Sequence, residues 1–561
     1  MERRIFLAVI LGALVMYGWQ AFFMPPPPPQ PATKSAAAPT SKPATTTPTA
    51  TDPEAPAATT PVAAAKTVKG ESAEREVVVD TGVAQIVLTN RGGGRVLHWR
   101  LKDQRTPAGE QVDLVPSNVP ADQPRPFSLR VDDPTITQRL NESFYQVGGN
   151  SGHVDATTSA AAVVFEFEDA AGLRARKEFR FEPRSFVVTF SADVRNGEAT
   201  LNPTIEWGPG LGDLGAVSSG GSFFTGNAVQ PPRAIFHRDG DVERLKVDAV
   251  TKQPIYEGTF RFAGIDDHYF VAALVNPGQA RLEFRSVSIT VPGGTAPLQF
   301  LSGSYRLQQP PHDLRLYVGP KQFDLLRAAD SELVRAIDFG IFSWMVVPLL
   351  SALKWLFGFL GNYGWAIIVL TILLNLVLFY PRHRSVVAMR KMQLIQPEMK
   401  AIQERYANLK ATDPAKQKMN TEIMNLYRER GVNPASGCVP MLLTMPVLLA
   451  FYSLLSMSIE LRGAPFVGWI HDLSASDPYF VIPLLMGITM FWQQRISPAA
   501  ADPTQQKVMM IMPIMFTGMM AFSPSGVVLY WTVSQLWAIG QQYLTNRLIG
   551  PPAVATARRG K

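Results

Sequence analysis

The sequence predicts an α-helical polytopic membrane protein that also carries an antiparallel β-sandwich domain outside the membrane. Apolar segments are concentrated in the last third of the chain, whereas residues 70–321 contain short runs of alternating apolar and polar residues. A bilayer core about 30 Å thick requires about 20 helical residues, or somewhat fewer where polar flanks reach the interface. Five segments approach this length: Trp365–Tyr380, Gly437–Leu455, Tyr479–Trp492, Val508–Ala521 and Gly526–Tyr543. With Ile5–Phe23 near the N-terminus, we predict six transmembrane helices, the last five of which form one core.

The first apolar segment and the distribution of basic residues predict the orientation. Residues 1–24 have arginines before the apolar stretch and no small-residue cleavage site after it, which is typical of an uncleaved signal anchor. Residues 25–69 are rich in proline, alanine and threonine, and we expect an extended linker without a core. Lysine and arginine dominate the loop 381–434 and the tail 547–561, so we predict that both termini are cytoplasmic and residues 25–340 are external.

The external domain, residues 70–321, is predicted to be a binding or spacer module. Runs such as Val163–Phe167 and Lys177–Phe181 alternate in the manner of antiparallel strands, and their number favours a β-sandwich. Its histidines lack the spacing of a zinc site, and Gly210–Gly215 matches a dinucleotide fingerprint without the flanking strand and helix. We therefore expect no metal and no cofactor. The net charge of +7 does not indicate a nucleic acid partner, because no folded soluble segment is strongly basic.

Residues 322–360 are predicted to form an amphipathic or interfacial helical region between the external domain and the core. Apolar residues recur at helical spacing over 322–338, so we expect a helix just outside the membrane. Packing against the external domain and lying on lipid both remain open for this helix. The next stretch, Trp344–Leu360, is interrupted by Pro348 and Lys354 and either extends the following span or lies along the interface.

The segment 385–430 is predicted to form a cytoplasmic hairpin of two antiparallel helices. Methionine, leucine and isoleucine recur at helical spacing on both sides of a break at residues 411–414. Two interpretations remain open: the apolar faces simply pack together, or they form a mobile platform for variable apolar clients.

The predicted spans contain unusually many polar residues. Thr371 and Asn375 are four residues apart and share one helical face, and further polar residues mark the last span. Polar groups in hydrocarbon must contact each other or face a water-filled cavity. Helix–helix hydrogen bonds and a hydrophilic cavity are both compatible with this pattern.

Several motifs of the core resemble the YidC/Oxa/Alb family of membrane insertases. They occur in the family order and include Gly361–Ile368, Gly431–Pro434, Gly437–Pro440 and Pro524–Trp531. The N-terminal anchor, the long external domain and Tyr317–Lys321 are similar to the Gram-negative type of the family, which has a large periplasmic domain. The resemblance implies an insertase core over 361–546 followed by the basic tail 547–561.

The resemblance implies an ATP-independent insertase and foldase of the bacterial inner membrane, not an enzyme. Such a protein inserts, folds and helps assemble integral membrane proteins through a hydrophilic groove that opens to the cytoplasm and to lipid. It works alone and together with the Sec translocon, SecYEG with SecD and SecF. The implied partners are nascent membrane proteins, lipids and, through the basic loop and tail, the ribosome. Neither a metal nor another cofactor is implied.

The resemblance also implies the residues of the groove. Those predicted to line it are Thr371, Asn375, Tyr530, Trp531, Ser534 and Gln535. Asn375 stands where the family usually has an arginine, so attraction of an acidic client tail to a cation at this position is not expected. Arg382 and Arg384 are predicted to lie at the cytoplasmic mouth of the groove, where they are candidates to supply that attraction.

Two other functions remain as alternatives, a secondary transporter and a structural envelope anchor. Transporters usually show repeated halves and ionisable residues within the membrane, and the sequence shows neither in the core spans. A purely structural anchor would leave the polar spans and the methionine-rich hairpin without a role.

Overall fold

The computed structural model describes residues 67–106, 109–116, 119, 123–149, 152–212, 232–290, 297–406, 415–431, 439–496 and 503–549. The chain divides into two units, Met1–Pro61 and Val62–Lys561, and every described residue belongs to the second. The predicted N-terminal anchor, nearly all of the linker and the basic tail beyond residue 549 lie outside the described residues.

The external domain consists of two β-sheets. The smaller sheet has five strands in the order β5-β4-β3-β2-β8, and the larger has fourteen. The smaller sheet comprises β2 (Glu76–Asp80), β3 (Ala84–Thr89), β4 (Arg95–Arg105), β5 (Gln111–Asp113) and β8 (His153–Asp155). The larger comprises β1 (Thr67–Lys69), β6 (Ser128–Arg130), β7 (Gln146–Val147), β9 (Ala161–Asp169), β10 (Leu173–Phe181), β11 (Val187–Asn196), β12 (Ala199–Leu201), β13 (Thr204–Trp207), β14 (Arg233–Arg238), β15 (Asp241–Leu245), β16 (Ile255–Asp266), β17 (Phe270–Thr290), β18 (Pro297–Leu307) and β19 (Leu314–Pro320).

The two sheets share one apolar core, as expected for a sandwich. Alternate residues of β10 are buried, so Phe179 and Phe181 point to the same side as Lys177. Val77 and Trp99 of the smaller sheet belong to the same core as these phenylalanines. The described pairings are antiparallel except β2 with β8, which run parallel. The domain begins at least three residues before the predicted boundary, because β1 pairs with β9.

Helices form the rest of the described chain. Two short ones belong to the external domain, and ten follow it. The bounds are α1 (Pro134–Glu142), α2 (Val247–Lys252), α3 (Phe323–Ala329), α4 (Ser343–Leu360), α5 (Tyr363–Val377), α6 (Phe379–Leu394), α7 (Gln396–Arg405), α8 (Ala415–Glu429), α9 (Val439–Met457), α10 (Val481–Ile496), α11 (Pro503–Met520) and α12 (Ser525–Ile549).

Each of the five core segments predicted from hydropathy coincides with a helix, namely α5, α9, α10, α11 and α12. Among the described residues, one helical stretch has both the length and the composition to cross a membrane, Gly340–Leu360, with a mean hydropathy of 1.6. This stretch contains α4, which the sequence interpretation did not count as a span. The number of six transmembrane helices therefore stays a prediction. Gly361, in the left-handed conformation at φ 63°, ends α4 and separates it from α5.

The single amphipathic helix predicted over 322–338 is wrong. Two short pieces occupy this segment: α3 and a 3₁₀ turn, Leu333–Ala336. The break has a local cause, because the Asp330 carboxylate accepts a hydrogen bond from the Glu332 backbone N–H at 2.8 Å and competes with helix continuation. Leu326 and Leu333 are buried in the same apolar cluster as Phe262 of the external domain, which favours the packing interpretation over a helix lying on lipid.

One apolar cluster joins the external domain to the helices. It begins at Ile235 and Phe262 of the larger sheet, passes through Leu333 and continues to Leu454 of α9 and Tyr530 of α12. A polar contact accompanies it, in which His268 Nε2, at the turn between β16 and β17, lies 2.9 Å from the carbonyl oxygen of Ser456. The domain and the helical core are thus in direct, extensive contact.

The segment 385–430 contains three helical pieces, not the predicted two: the end of α6, then α7 and α8. The first predicted helix is interrupted at Ile395, because Pro397 lacks the backbone N–H that would continue it. The last two pieces, α7 and α8, pack on each other. Met399, Ile402 and Leu426 pack together between them, and the Tyr427 hydroxyl lies 3.1 Å from the sulfur of Met399. Arg430 and Glu398 form an ion pair of 2.7 Å across the same contact. The apolar faces therefore pack on each other, and the predicted break at 411–414 lies outside the described residues.

Candidate polar groove

The first side of the candidate site is the polar face of α5. Asn362 starts this helix, since its side chain accepts hydrogen bonds from the backbone N–H groups of Gly364 and Trp365. Nine and thirteen residues further along, Thr371 and Asn375 are buried, at 0% and 3% exposure. Thr371 Oγ1 donates to the carbonyl oxygen of Ile367 at 2.6 Å, and Asn375 Nδ2 donates to that of Thr371 at 2.8 Å. Both side chains are thus held against their own helix, and the oxygen of Asn375 stays available.

Arg382 occupies that oxygen. A guanidinium nitrogen of Arg382 donates to Asn375 Oδ1 at 2.5 Å, a charge-assisted hydrogen bond. Arg382 follows Asn375 by seven residues, about two helical turns, and lies in the first turn of α6, just past the boundary between Val377 and Phe379. Pro381 is tolerated in this first turn because the backbone N–H groups there have no intrahelical partner. The structure thus brings a cation to the polar face on which Asn375 replaces the expected arginine.

Arg384 is placed differently. Its side chain is exposed, and its guanidinium lies over the ring of Tyr380, 5.0 Å from the centroid. The structure therefore joins Arg382, but not Arg384, to Asn375.

The second side of the site is α12, where the two predicted aromatic residues face different neighbours. Tyr530 is buried and stacks on Phe451 of α9, with ring centroids 4.3 Å apart. Trp531 contacts Phe516 of α11, with centroids 4.6 Å apart. Consecutive helical residues point about 100° apart, which explains the divergence.

Ser534 and Gln535 follow on the same helix and are half-buried. Ser534 lies one turn beyond Tyr530, so it shares the face that points toward α5 and α9, whereas Gln535 follows Trp531 by one turn. The predicted groove residues thus divide into an inner set around Tyr530 and a second set around Trp531.

The predicted groove residues leave out two polar residues of the inner set, of which Gln541 is among the polar residues noted in the last span and Thr545 is not. Gln541 and Thr545 are buried, and Gln541 Nε2 donates to the carbonyl oxygen of Phe379 at 3.2 Å. The Thr545 hydroxyl lies 3.4 Å from Nδ1 of His383, next to Arg382. A detectable signal existed, because positions 530, 534, 541 and 545 recur on one helical face.

Some buried polar atoms of α12 have no hydrogen-bond partner within the described part of the chain. They include Nε1 of Trp531, Nε1 of Trp537 and Oε1 of Gln541. No group of three histidine, cysteine, aspartate or glutamate side chains in the described segments could hold a metal ion. The polar groups described here lie close to one guanidinium, that of Arg382.

Known proteins resemble the chain over nearly its whole length. Residues 355–551 match the family model described as 60Kd inner membrane protein, and residues 76–352 match the YidC periplasmic domain. The chain is 32% identical over 571 residues to a membrane protein insertase YidC of Syntrophus aciditrophicus, covering 98% of this chain and 100% of that protein. For the same protein of Geobacter metallireducens the identity is 33%, covering 98% and 99%. For that of Ralstonia nicotianae it is 34%, covering 97% and 95%.

Proposed function

The chain belongs to the YidC family of membrane protein insertases, and we propose that its insertion path is the polar groove between α5 and α12. As a family member it is a non-enzymatic insertase of the bacterial inner membrane with a periplasmic domain. Its substrates are nascent membrane proteins, which it handles in contact with lipid. Membership of this family takes the place of the two alternatives, a transporter and a structural anchor.

The observation that carries the proposal is the contact between Arg382 and Asn375. A charged group is costly in an apolar environment, so a guanidinium held by a buried amide needs a polar surrounding. Unpartnered polar atoms on α12, such as Trp531 Nε1, are compatible with water in the same region. Arg382 thus supplies, from the next helix, the positive charge that Asn375 lacks.

The proposed path has a polar and an apolar side. The tail of a client enters from the cytoplasmic end near Arg382 and passes Asn375 and Thr371, where polar side chains lower the cost of crossing. Its apolar segment leaves past Tyr530 and Trp531 toward lipid. Exposed apolar residues of α11, such as Ile511 and Ile514, are suited to lipid contact on that side.

The orientation and the remaining partners belong to the same proposal. Both termini are cytoplasmic, six helices span the membrane, and larger clients are received from the Sec translocon, SecYEG with SecD and SecF. The ribosome is contacted through the basic cytoplasmic segment that contains α7 and α8. Support comes from the excess of lysine and arginine in the loop 381–434 and the tail 547–561.

The test is insertion into liposomes that contain only this purified protein. The client is a small membrane protein with either an acidic or a neutral translocated tail, scored by protease protection of the tail. Arg382→Gln should lower protection of the acidic tail about tenfold and that of the neutral tail much less, since a charge-assisted contact contributes roughly 1.5–3 kcal/mol. Arg382→Lys should restore part of the loss.

The matched control is Arg327→Gln, because Arg327 is exposed on α3, away from the groove. It removes the same charge and should leave both tails protected. Equal insertion of acidic and neutral tails by Arg382→Gln would contradict the role of the guanidinium. Absence of protection with the folded wild-type protein would contradict autonomous insertion.

A further inference from the structure

A polar cleft of about 1110 Å³ lies on the periplasmic domain, between α1 and the segments that precede β4 and β6. Six of its lining residues are arginines: Arg91, Arg95, Arg125, Arg130, Arg285 and Arg306. A smaller cleft of about 420 Å³ shares Arg130, Asp132, Thr204 and Arg306 with it. The two spaces therefore form one elongated groove, which we call the arginine cleft.

Half of these arginines are neutralised by neighbouring carboxylates. The ion pairs, with their N···O distances, are Arg130–Glu206 (3.0 Å), Arg306–Asp132 (2.6 Å) and Arg285–Glu283 (2.6 Å). This end of the cleft carries polar groups of both signs and little net charge.

The other end carries three guanidiniums that form no ion pair with a described residue, although Glu74 and Glu142 also line the cleft and the charge of Glu74 partly offsets the effect of the two other arginines on Arg95. Within the described residues, no carboxylate oxygen lies within 4.0 Å of a side-chain nitrogen of Arg91, Arg95 or Arg125. Burial, together with the charges of Arg91 and Arg125, lowers the pKa of Arg95 to about 10. The three cations destabilise one another in the free protein, so an anion between them would be favoured.

The floor of the cleft adds a neutral hydrogen-bonding group. Ser128 is 2% exposed, and its hydroxyl has no partner in the described segments. Ser128 lies on β6, two residues before Arg130, so both side chains point to the same face of the sheet.

The backbone edge of β6 does not take part. Asn141 of α1 occupies the N–H and carbonyl groups of Leu129, and Thr137 occupies those of Val131. A ligand therefore cannot add a strand here and must be held by the side chains of the cleft.

We propose that the arginine cleft binds carboxylate side chains of an extended acidic peptide segment, such as the translocated part of a client. This inference rests on the proposed function, because translocated segments are poor in lysine and arginine. Guanidiniums match carboxylates through paired hydrogen bonds. The elongated shape favours a peptide over a single small anion, and the mixed polar end near Arg130 and Asp132 suits amide and hydroxyl groups.

The experiment measures binding of a fluorescent peptide to the full-length protein in detergent. The peptide contains several glutamates, and its partner peptide has glutamine at the same positions. The glutamate peptide should bind more tightly, and added salt should weaken it. The double variant Arg95→Gln, Arg125→Gln should weaken it by at least about tenfold, since each lost charge-assisted contact is strong. Arg95→Lys should retain part of the binding.

The matched control is Arg261→Gln, which removes an exposed arginine of β16 outside the cleft and should bind as the wild type does. Equal binding of the two peptides, or unchanged binding by the double variant, would overturn the proposal. So would displacement of the peptide by inorganic phosphate at equal concentration, or Arg95-dependent binding of phosphatidylglycerol vesicles without peptide binding, which would assign the cleft to phosphate groups.

Insertion by the wild-type protein, measured in parallel in liposomes, keeps the two proposals separate. Insertion without peptide binding would contradict the proposed role of the arginine cleft and leave the proposed role of the groove unaffected. Peptide binding without insertion would support the proposed role of the arginine cleft and contradict the proposed role of the groove.

Discussion

Buried polar groups have different hydrogen-bond partners in the periplasmic domain and in the helical core. In the domain, Lys177 is fully buried and donates to the carbonyl oxygens of Gly92 and Phe127, both at 2.8 Å. Asp266 is likewise buried and contacts Arg233 and Lys321 at 3.1 and 3.0 Å. In the core, Thr371 and Asn375 bond mainly to their own helix, and polar atoms of α12 lack partners among the described residues.

The difference indicates two uses of buried polarity. Lys177 and Asp266 are bound by groups distant in sequence, so they help to fix one packing arrangement, although other buried atoms of the domain, such as Ser128 Oγ, have no partner among the described residues. Thr371 and Asn375 bond within α5 and to the adjacent Arg382, so they add little to the packing of distant elements. Substitutions in the domain should therefore change stability, whereas those in the core should change insertion.

The largest effect is expected from making the α5 face apolar. The double variant Thr371→Leu, Asn375→Leu removes both polar groups of this face and the acceptor for Arg382. We expect protease protection of a client tail to fall to the level of empty liposomes, because the tail would then cross an apolar path. The variant Thr371→Ser, Asn375→Gln keeps the polarity and is the control. Normal insertion by the double leucine variant would contradict the view that buried polar groups of the core serve insertion, whereas those of the domain serve stability.

The second prediction concerns the stability of the periplasmic domain. Lys177→Ala leaves two buried carbonyl groups without a donor and opens a cavity among aromatic rings, with an expected loss of about 3–5 kcal/mol in unfolding free energy. Burial lowers the pKa of the Lys177 ammonium well below its usual value, so the charge itself is not the stabilising feature. Lys177→Met, which fills most of the space, should cost less. Chemical unfolding of the full-length protein checks both, and equal stability of wild type and alanine variant would contradict the assignment.

The third prediction is a dependence of stability on pH at the contact between domain and core. Burial, reinforced by nearby cations, lowers the pKa of His268 to about 4 from its ordinary 6.5. The unfolded chain then binds more protons than the folded one below pH 6.5, so stability decreases as the pH falls toward 4. Between pH 7 and pH 5 we expect a loss of about 2 kcal/mol, measured by thermal unfolding.

The control for this pH dependence is His268→Asn, whose amide can donate to the Ser456 carbonyl without titrating. It should make the stability nearly constant over the same range. If His268→Asn and the wild type show the same pH profile of stability, another titrating group causes the pH dependence.

The smallest effect is expected from Asn375→Arg. This change places a second guanidinium beside Arg382, so the two cations repel and the new side chain gains little. We expect the preference for acidic over neutral tails to change about twofold to threefold, well under the effect of the double leucine variant. A much larger gain in insertion would mean that Arg382 does not supply the charge of the groove.

Local patterns predicted much of this molecule. Alternation identified strands such as β9 and β10, and hydropathy located the core helices, because each pattern depends on burial of one face or one segment. The four-residue spacing placed Thr371 and Asn375 together, and the structure confirms that they are in contact.

Features that depend on chain breaks or distant partners could not be read from these patterns. The contact of Arg382 with Asn375 crosses the boundary between α5 and α6 at Leu378, and the sequence pattern does not report whether the two side chains meet across it. Phe451 was missed because its partner, Tyr530, is on another helix. The interruption of 322–338 arises from a side chain that competes for a backbone N–H, which hydrophobic periodicity does not report.

The apolar cluster shared by sheet and helices has a consequence for biosynthesis. Ile235 and Phe262 are translated long before Leu454 and Tyr530, with which they share one cluster. Leu326 and Leu333 join this cluster earlier, but the cluster is complete only when the helices α9 to α12 have been made and inserted. The cluster between the periplasmic domain and the core is thus completed last during synthesis. A product truncated before α9 exposes an apolar surface to chaperones and proteases.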